Sequence, residues 1–398
     1  MKILILNTLY SPFKVGGAEV SVQTLAEELS AQGHSVNIAC TVPRRHEKAN
    51  TSEVINGVTV FYIPLLNFYW PFDSKKHSIL MRLFWHLLDT YNPFMIYKIK
   101  CVFKKVNPDI VHTNNLAGFS AGVLAFLTKT RAKVVHTARD YYFLHPNCTL
   151  MKGQKQLTND HISIQLWSKL RGRYLKKVDH FVGISQYVVD QYTASYPWLR
   201  DMSSVVFNPV KPLTGSKPLS SNVQGAENKV TFGFIGRLSS EKGFEDFVRL
   251  SHEFKIAKIK AEFIVAGSGE NDFLYYLKCK YPCADITFLG FVDPIDFYSK
   301  VDCVVLPIRW PEPFGRTIVE AAISGAYVIG YPYGGAGEVI ARVGGTVVSD
   351  GEFNILKQEC ISFCRVKKSV AMIDRDFFNV KKHSELMVGV YKDNKNAS

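Results

Sequence analysis

Three loops in this chain of 398 residues carry side chains able to do chemistry on a charged or hydroxylated ligand. The first holds Gly16 and Gly17 just before an amphipathic stretch. Paired glycines let backbone N–H groups approach a phosphate at a helix start. The pair also fits a plain turn, and it is not the G-x-G-x-x-G of a nicotinamide site. The second loop is Gly236-Arg237-Leu238-Ser239-Ser240-Glu241-Lys242-Gly243. Its guanidinium can grip a diphosphate through two parallel N–H groups, and its ammonium can add a point charge. A solvated basic loop is the other reading of that spacing. The third runs from Pro311 to Ala321, with Glu312 ahead of a helix and Glu320 inside its second turn. Pro313 and Gly315 shape the start of that helix, leaving first-turn N–H groups and the positive dipole end unsatisfied. Two carboxylates suggest glycoside hydrolysis, but that needs acids about 5–9.5 Å apart on opposite sides of one bond. Two acids on one wall suit hydrogen bonding to vicinal hydroxyls better.

Each loop needs a strand behind it and a helix ahead of it, and the apolar patterning supplies both. Strand candidates in the first half are residues 2–7, 35–40, 58–63, 109–113, 133–137 and 180–185. Residues 18–31 place Val22, Leu25, Ala26 and Leu29 on one helix face, and Gly33 supplies the expected stop. Residues 209–228 are rich in Pro, Gly and Ser and read as a linker. The alternation then restarts, with strand candidates at 229–236, 262–267, 286–290, 303–307, 327–331 and 345–348. This pattern predicts α/β architecture: a domain over residues 1–208, the linker, and a second domain over 229–370. Residues 371–398 should add a helix that crosses back to the first domain. Two doubly wound sheets facing a central cleft would bind ligand at the carboxyl ends of their strands.

Composition narrows the class. With 47% hydrophobic and 21% charged residues, the chain is neither disordered nor fibrous. Its formal charge is +13 and very uneven. Residues 1–228 hold 26 Lys and Arg against 14 Asp and Glu, whereas residues 229–398 hold 22 against 21. Nucleic acid, an anionic membrane and an acidic substrate are candidate partners. No recognised nucleic-acid motif is present, which disfavours the first. Residues 67–105 interleave aromatics with Leu80, Leu83, Phe84, Leu87 and Leu88 at helical spacing, and Lys98, Lys100, Lys104 and Lys105 follow. Such a segment is either an interfacial surface for anionic lipid or a core-facing helix with a basic outer side. Arg171, Arg173, Lys176 and Lys177 form a second basic group. No apolar run reaches the roughly 18 residues of a spanning helix, and residues 1–7 read as a strand and not a signal peptide. Eight scattered cysteines fit reduced thiols in a cytoplasmic setting.

Taken in order, the segments VGGAE, GRLSSEKG and EPFGRTIVE resemble those of the retaining glycosyltransferase family 4, whose fold is GT-B, two Rossmann-like domains. Val265-Ala266-Gly267-Ser268-Gly269, Phe288-Leu289-Gly290-Phe291 and Gly334-Gly335-Ala336-Gly337-Glu338-Val339 extend the match. Pro108-Asp109-Ile110-Val111-His112 and Val182-Gly183-Ile184-Ser185 extend it in the first half. The resemblance implies that Arg237 and Lys242 hold a nucleotide-sugar diphosphate, aided by the N–H groups of Gly16 and Gly17. It implies that Glu320 binds the ribose hydroxyls and that Glu312 acts beside the donor sugar. The backbone of Phe314, Gly315 and Arg316 should reach sugar or phosphate. No metal or other cofactor is implied. The implied acceptor is a saccharide in surface polysaccharide assembly, and a lipid-linked one at the inner face of the plasma membrane would account for both basic groups, since its diphosphate and its membrane are anionic. One position departs from the family: after the fifth strand it often carries Thr-x-His-Asp, and here Arg139 stands in the histidine slot of Val135-His136-Thr137-Ala138-Arg139-Asp140. Arg139 cannot act as a base at neutral pH but can hold a hydroxyl or phosphate. His136 and His145 flank it, and His136 also fits a core-facing strand residue. A nucleotide-sugar epimerase and a non-catalytic nucleotide-sugar-binding protein stay open as rival readings.

Overall fold

The structure, a computed structural model, describes residues 1–13, 16–73, 75–153, 155–211, 229–368 and 375–393. The stretch expected as a linker lies outside the described residues from 212 onward, as do the start of the expected C-terminal segment (371–374) and its end (394–398). The chain forms two units. The first takes Met1–Leu150, Leu157–Pro209 and Phe378–Ser398; the second takes Met151–Gln156 and Val210–Phe377.

In the first unit, β1 (Lys2–Leu6) leads to α1 (Gly17–Ala31) and β2 (Ser35–Val42). There follow β3 (Ser52–Ile55), β4 (Val58–Pro64), α2 (Ile79–Thr90), α3 (Pro93–Val106), β5 (Ile110–Thr113), α4 (Val123–Leu127) and β6 (Lys133–Ala138). A two-stranded hairpin, β7 (Met151–Lys152) and β8 (Lys155–Gln156), belongs to the second unit. The first unit resumes with α5 (Ile162–Leu175), β9 (His180–Gly183), α6 (Gln186–Ser195) and β10 (Ser203–Val205). Its sheet runs β10-β9-β6-β5-β1-β2-β4-β3, parallel except for β3 against β4. Strands covered on both faces read as unbroken apolar runs; accordingly Ile3 to Leu6 of β1 are all buried.

The second unit is built from β11 (Val230–Ile235), α7 (Phe244–Ile256), β12 (Ala261–Ala266), α8 (Asn271–Lys280), β13 (Thr287–Gly290) and α9 (Pro294–Tyr298). It continues with β14 (Cys303–Leu306), α10 (Arg316–Ile323), β15 (Tyr327–Gly330), α11 (Gly335–Arg342), β16 (Thr346–Val347) and α12 (Phe353–Arg365). The sheet order is β13-β12-β11-β14-β15-β16, all parallel. In chain order that is the doubly wound sequence 3-2-1-4-5-6, whose order reverses beside β11. The core is rich in phenylalanine: Phe232 packs against Phe254, Phe263 and Phe363, and Phe247 against Phe234 and Phe263.

A last helix, α13 (Val380–Lys392), returns to the first unit. Met387 and Tyr391 enter that unit's core, His383 donates from Nδ1 to the Phe207 carbonyl at 2.7 Å, and Lys133 donates to the Val390 carbonyl at 2.7 Å. One sequence expectation needs revision, and one open choice closes. Arg171 is not part of a basic surface: its side chain is fully buried and paired with the equally buried Asp89 at 3.4 Å. Of the two readings open for α2, the core-facing one fails, because Leu80, Leu83, Phe84 and Leu87 are all exposed.

Candidate active site

The order reversal in the second sheet splays the loops after β11 and β14, and those loops carry most of the expected chemistry. β11 is followed by Gly236, whose φ of 137° is open to glycine. Arg237 follows, its guanidinium 3.6 Å from Glu241 and its side chain 70% exposed, so the cation stays available. Gly243 caps α7 with φ 76°, and a Cβ there would stand 1.7 Å from the Pro307 carbonyl oxygen. Only glycine lets the two loops press together at that point. Between these glycines Lys242 reaches across to Glu312, pairing its ammonium with the carboxylate, and its Nζ lies 5.0 Å from the centre of the Trp310 ring. Two residues from separate loops, 70 positions apart, are thus joined as one ion pair.

Glu312 is fixed from behind by the loop after β15. Gly335 donates its N–H to the Glu312 carbonyl at 2.7 Å, and a Cβ on Gly334 would come within 2.4 Å of that same oxygen. Phe314 is buried, and Gly315, at φ 84°, caps α10. On α10, Arg316 Nε donates to Glu320 Oε1 at 2.7 Å. The second carboxylate oxygen of Glu320 lies 3.5 Å from the Tyr298 hydroxyl. Burial first, and then the charge of Glu320, push the Tyr298 hydroxyl well above its usual pKa, so it stays a donor. Glu312, Phe314, Gly315, Arg316 and Glu320 therefore follow one another along a single wall, with Lys242 joined to it.

Supporting groups that the sequence reading missed lie behind this wall. Arg309 grips one oxygen of Asp246 from Nε and a terminal nitrogen at 2.8 and 2.6 Å, Tyr331 donates to the same oxygen at 3.0 Å, and the Arg309 N–H donates to the Glu241 carbonyl at 2.9 Å. This ties the Arg237–Lys242 loop to the end of β14. Trp310 could have been suspected, standing two residues before Glu312. Tyr298, 22 residues from Glu320, carries no local signal.

The remaining expected residues belong to the first unit. Gly16 and Gly17 open α1, and Lys14 and Val15 beside them lie outside the described residues. The Gly16 N–H donates to the carboxylate of Glu19 at 2.8 Å, a side-chain cap at the positive end of the helix. Arg139, just past β6, is buried; its Nε donates to Asn114 Oδ1 at 2.8 Å and a terminal nitrogen donates to Asn208 Oδ1. His136 faces the core, with Nδ1 2.9 Å from the Thr113 hydroxyl and its ring edge-on to Phe143. His145 bonds instead to Asn147 at 2.7 Å. Among the described residues no group of three or more His, Cys, Asp or Glu is placed to hold a metal ion. No helix of the described residues is long and apolar enough to cross a membrane.

Comparison with known proteins gives the family and the fold. Residues 15–212 match the model of Glycosyltransferase Family 4, and residues 217–365 match that of Glycosyl transferases group 1. An uncharacterized 42.6 kDa protein in the cps region of Klebsiella pneumoniae is 40% identical over 342 residues, covering 85% of this chain and 87% of that one. An uncharacterized glycosyltransferase of Methanocaldococcus jannaschii is 25% identical over 371 residues, covering 85% and 83%. Among solved structures, sucrose-phosphate synthase from Thermosynechococcus elongatus aligns with a TM-score of 0.72 at 18% identity, over 98% of each chain. HepE of Anabaena in complex with UDP aligns with a TM-score of 0.62 at 17% identity, over 99% of this chain and 96% of that one. At such identities the structural likeness shows the fold alone, two Rossmann-like domains of the GT-B type.

Proposed function

The chain belongs to glycosyltransferase family 4 and is a transferase enzyme, and from that premise we propose that it moves a sugar from a nucleotide-sugar donor to a lipid-linked saccharide with retention at the anomeric carbon. The ion pair of Lys242 with Glu312, set where the second sheet reverses its order, carries this reading. An ammonium has three N–H donors, so Lys242 can hold Glu312 with one and a diphosphate oxygen with another. Arg237, exposed five positions earlier, takes the second share of that charge. Glu320, held by Arg316 and Tyr298, presents acceptor lone pairs to a ribose diol.

The chemistry then runs on one face of the sugar. The bond from the anomeric carbon to the diphosphate oxygen breaks, and the electron pair leaves with the diphosphate. An oxygen of that leaving group takes the proton of the acceptor hydroxyl, which forms the new bond from the same side. Arg237 and Lys242 matter most as negative charge builds on the leaving group, and the Glu312 carboxylate offsets the positive charge of the oxocarbenium-like sugar. The reading gives neutralisation of the diphosphate to these cations and not to a metal ion. The relative from a cps region supports a role in capsule-type surface polysaccharide assembly, at the inner face of the plasma membrane. The HepE complexes with UDP and UDP-glucose put UDP-sugars first among donors to try.

A thermal-shift screen across nucleotide sugars, followed by mass spectrometry and NMR of the product, tests this. The expected product keeps the anomeric configuration of the donor, forms equally well in EDTA, and forms at least about 100-fold more slowly in Glu312→Ala. A product of opposite configuration would end the retaining mechanism, and epimerised donor without transfer would end the proposal altogether.

A further inference from the structure

Helix α2 is mounted the opposite way from an ordinary amphipathic helix. Its buried positions include Trp85 and Asp89. Trp85 Nε1 donates to the Tyr69 carbonyl at 3.0 Å, and the Trp85 carbonyl accepts from Asn67 at 3.2 Å. The Asp89 carboxylate accepts from the Gly118 N–H at 2.7 Å and the Tyr142 hydroxyl at 2.9 Å, besides pairing with Arg171. At 100° per residue, Leu80, Leu83, Phe84 and Leu87 fall on the side away from Trp85 and Asp89. They are 66%, 43%, 54% and 45% exposed. A helix clamped on its polar and indole positions cannot roll to hide that stripe. Contiguous apolar surface of this kind marks a contact, whereas scattered exposed leucines do not.

Helix α5 fastens α2 from behind, through Arg171 to Asp89 and through Trp167 edge-on to His86 at 6.2 Å. On its own exposed face Ile162 and Leu166 are followed by Lys169 and Arg173 at helical spacing. Charge identifies what such a surface meets. Between residues 75 and 108 stand seven Lys and Arg and a single acid, Asp89, which is buried. An apolar stripe in a segment so rich in cations and so poor in acids suits a lipid surface with anionic headgroups. A symmetric pair of this chain would instead set like charges against one another.

We propose that α2 lies in the headgroup boundary of an anionic bilayer, with Leu80, Leu83, Phe84 and Leu87 inserted and the lysines of α3 against lipid phosphates. The proposal deepens the lipid-linked acceptor reading and rests on it for its purpose, since a docked first unit would meet its acceptor at the membrane surface. The binding itself needs neither donor nor acceptor, so the two readings can fail separately.

Sedimentation of the full chain with vesicles of phosphatidylethanolamine and phosphatidylglycerol tests it, against vesicles of phosphatidylcholine alone. Leu83→Gln with Leu87→Gln, both at exposed positions, should leave the thermal midpoint unchanged and lower the vesicle partition coefficient roughly tenfold or more. Lys100→Glu with Lys104→Glu should weaken binding at low salt and matter little at high salt. These two lysines are chosen because Lys98 bonds to Asn50 and Lys105 lies over the Phe61 ring. An environment-sensitive dye on Leu83→Cys should shift to the blue on adding the anionic vesicles. Undiminished binding by the leucine variant, or equal binding to phosphatidylcholine, overturns the proposal. So does a lipid-free dimer of the native chain that the leucine variant turns into monomer, since the stripe would then join two copies.

Discussion

At the scale of single residues, the clearest contrast is between two arginines. Arg237 stays largely exposed beside Glu241, whereas Arg139 is enclosed and grips the side-chain oxygens of Asn114 and Asn208. Both are cations near the carboxyl end of a strand, and their spacing alone gives no sign of this difference. Burial makes Arg139 a structural anchor of its loop, whatever it also does for a ligand. Arg139→Ala leaves two buried asparagine oxygens short of a charged donor and should cost about 2–4 kcal/mol. A urea midpoint within error of the native one would show that Arg139 holds nothing in place. Glu312, Lys242 and Glu320 stand out in the sequence as candidates because their loops carry glycine and proline at distinctive spacing. That Lys242 and Glu312 form one ion pair was not legible, because 70 residues separate them.

At the scale of elements, glycines decide how closely the site loops approach. Gly243 touches the end of β14, and a methyl group there would meet the Pro307 carbonyl at 1.7 Å with no flexible side chain to give way. Gly243→Ala should therefore lower the thermal midpoint and reduce kcat/KM for the donor by roughly tenfold or more, the cost of backbone strain being about 1–3 kcal/mol. Gly389 is the control: it sits exposed inside α13, with nothing within 4 Å of an added Cβ. Gly389→Ala should stabilise by about 0.5–1 kcal/mol. A matching loss in both variants would refute the account of the loops. Helix α2 shows the limit of pattern reading. Its apolar periodicity fits a core-facing and an outward-facing helix equally, and the choice depends on whether Trp85 and Asp89 or the leucines find partners. Those partners, Tyr69, Gly118, Tyr142 and Arg171, come from four other places in the chain.

At the scale of the whole molecule, the first unit closes on its own C-terminal helix through buried polar groups. Tyr391 pairs with His112 Nδ1 at 2.9 Å, His112 Nε2 meets Thr137 at 2.7 Å, and His383 donates to the Phe207 carbonyl. Burial, and then the charge of Arg139, push His136 and His383 down to about 3, so both are neutral in the fold. In the unfolded chain they titrate near 6.5. Between those values the unfolded state binds more protons, so stability is full above about pH 6.5 and is lost as pH falls toward 3. Each of the two should remove about 2 kcal/mol between about pH 7.5 and about pH 5. Following the imidazole resonances of His136 and His383 by NMR across this range checks that they stay neutral, and titration of either near pH 6.5 would show that it is not held neutral.

By itself the sequence determined the class of the fold, the family, the loops of the candidate site and the uneven charge, because strand periodicity, glycine spacing and charge counts are local or additive properties. Tertiary structure alone decided which charges are surface and which are core. Arg171, which reads as one of four clustered cations, is buried against Asp89. It decided that Tyr298 backs Glu320 and that Arg309 ties two site loops together. It also decided that the leucine stripe of α2 points outward. Each of these depends on a partner brought close by the folded sheet order, and no count along the chain contains that distance.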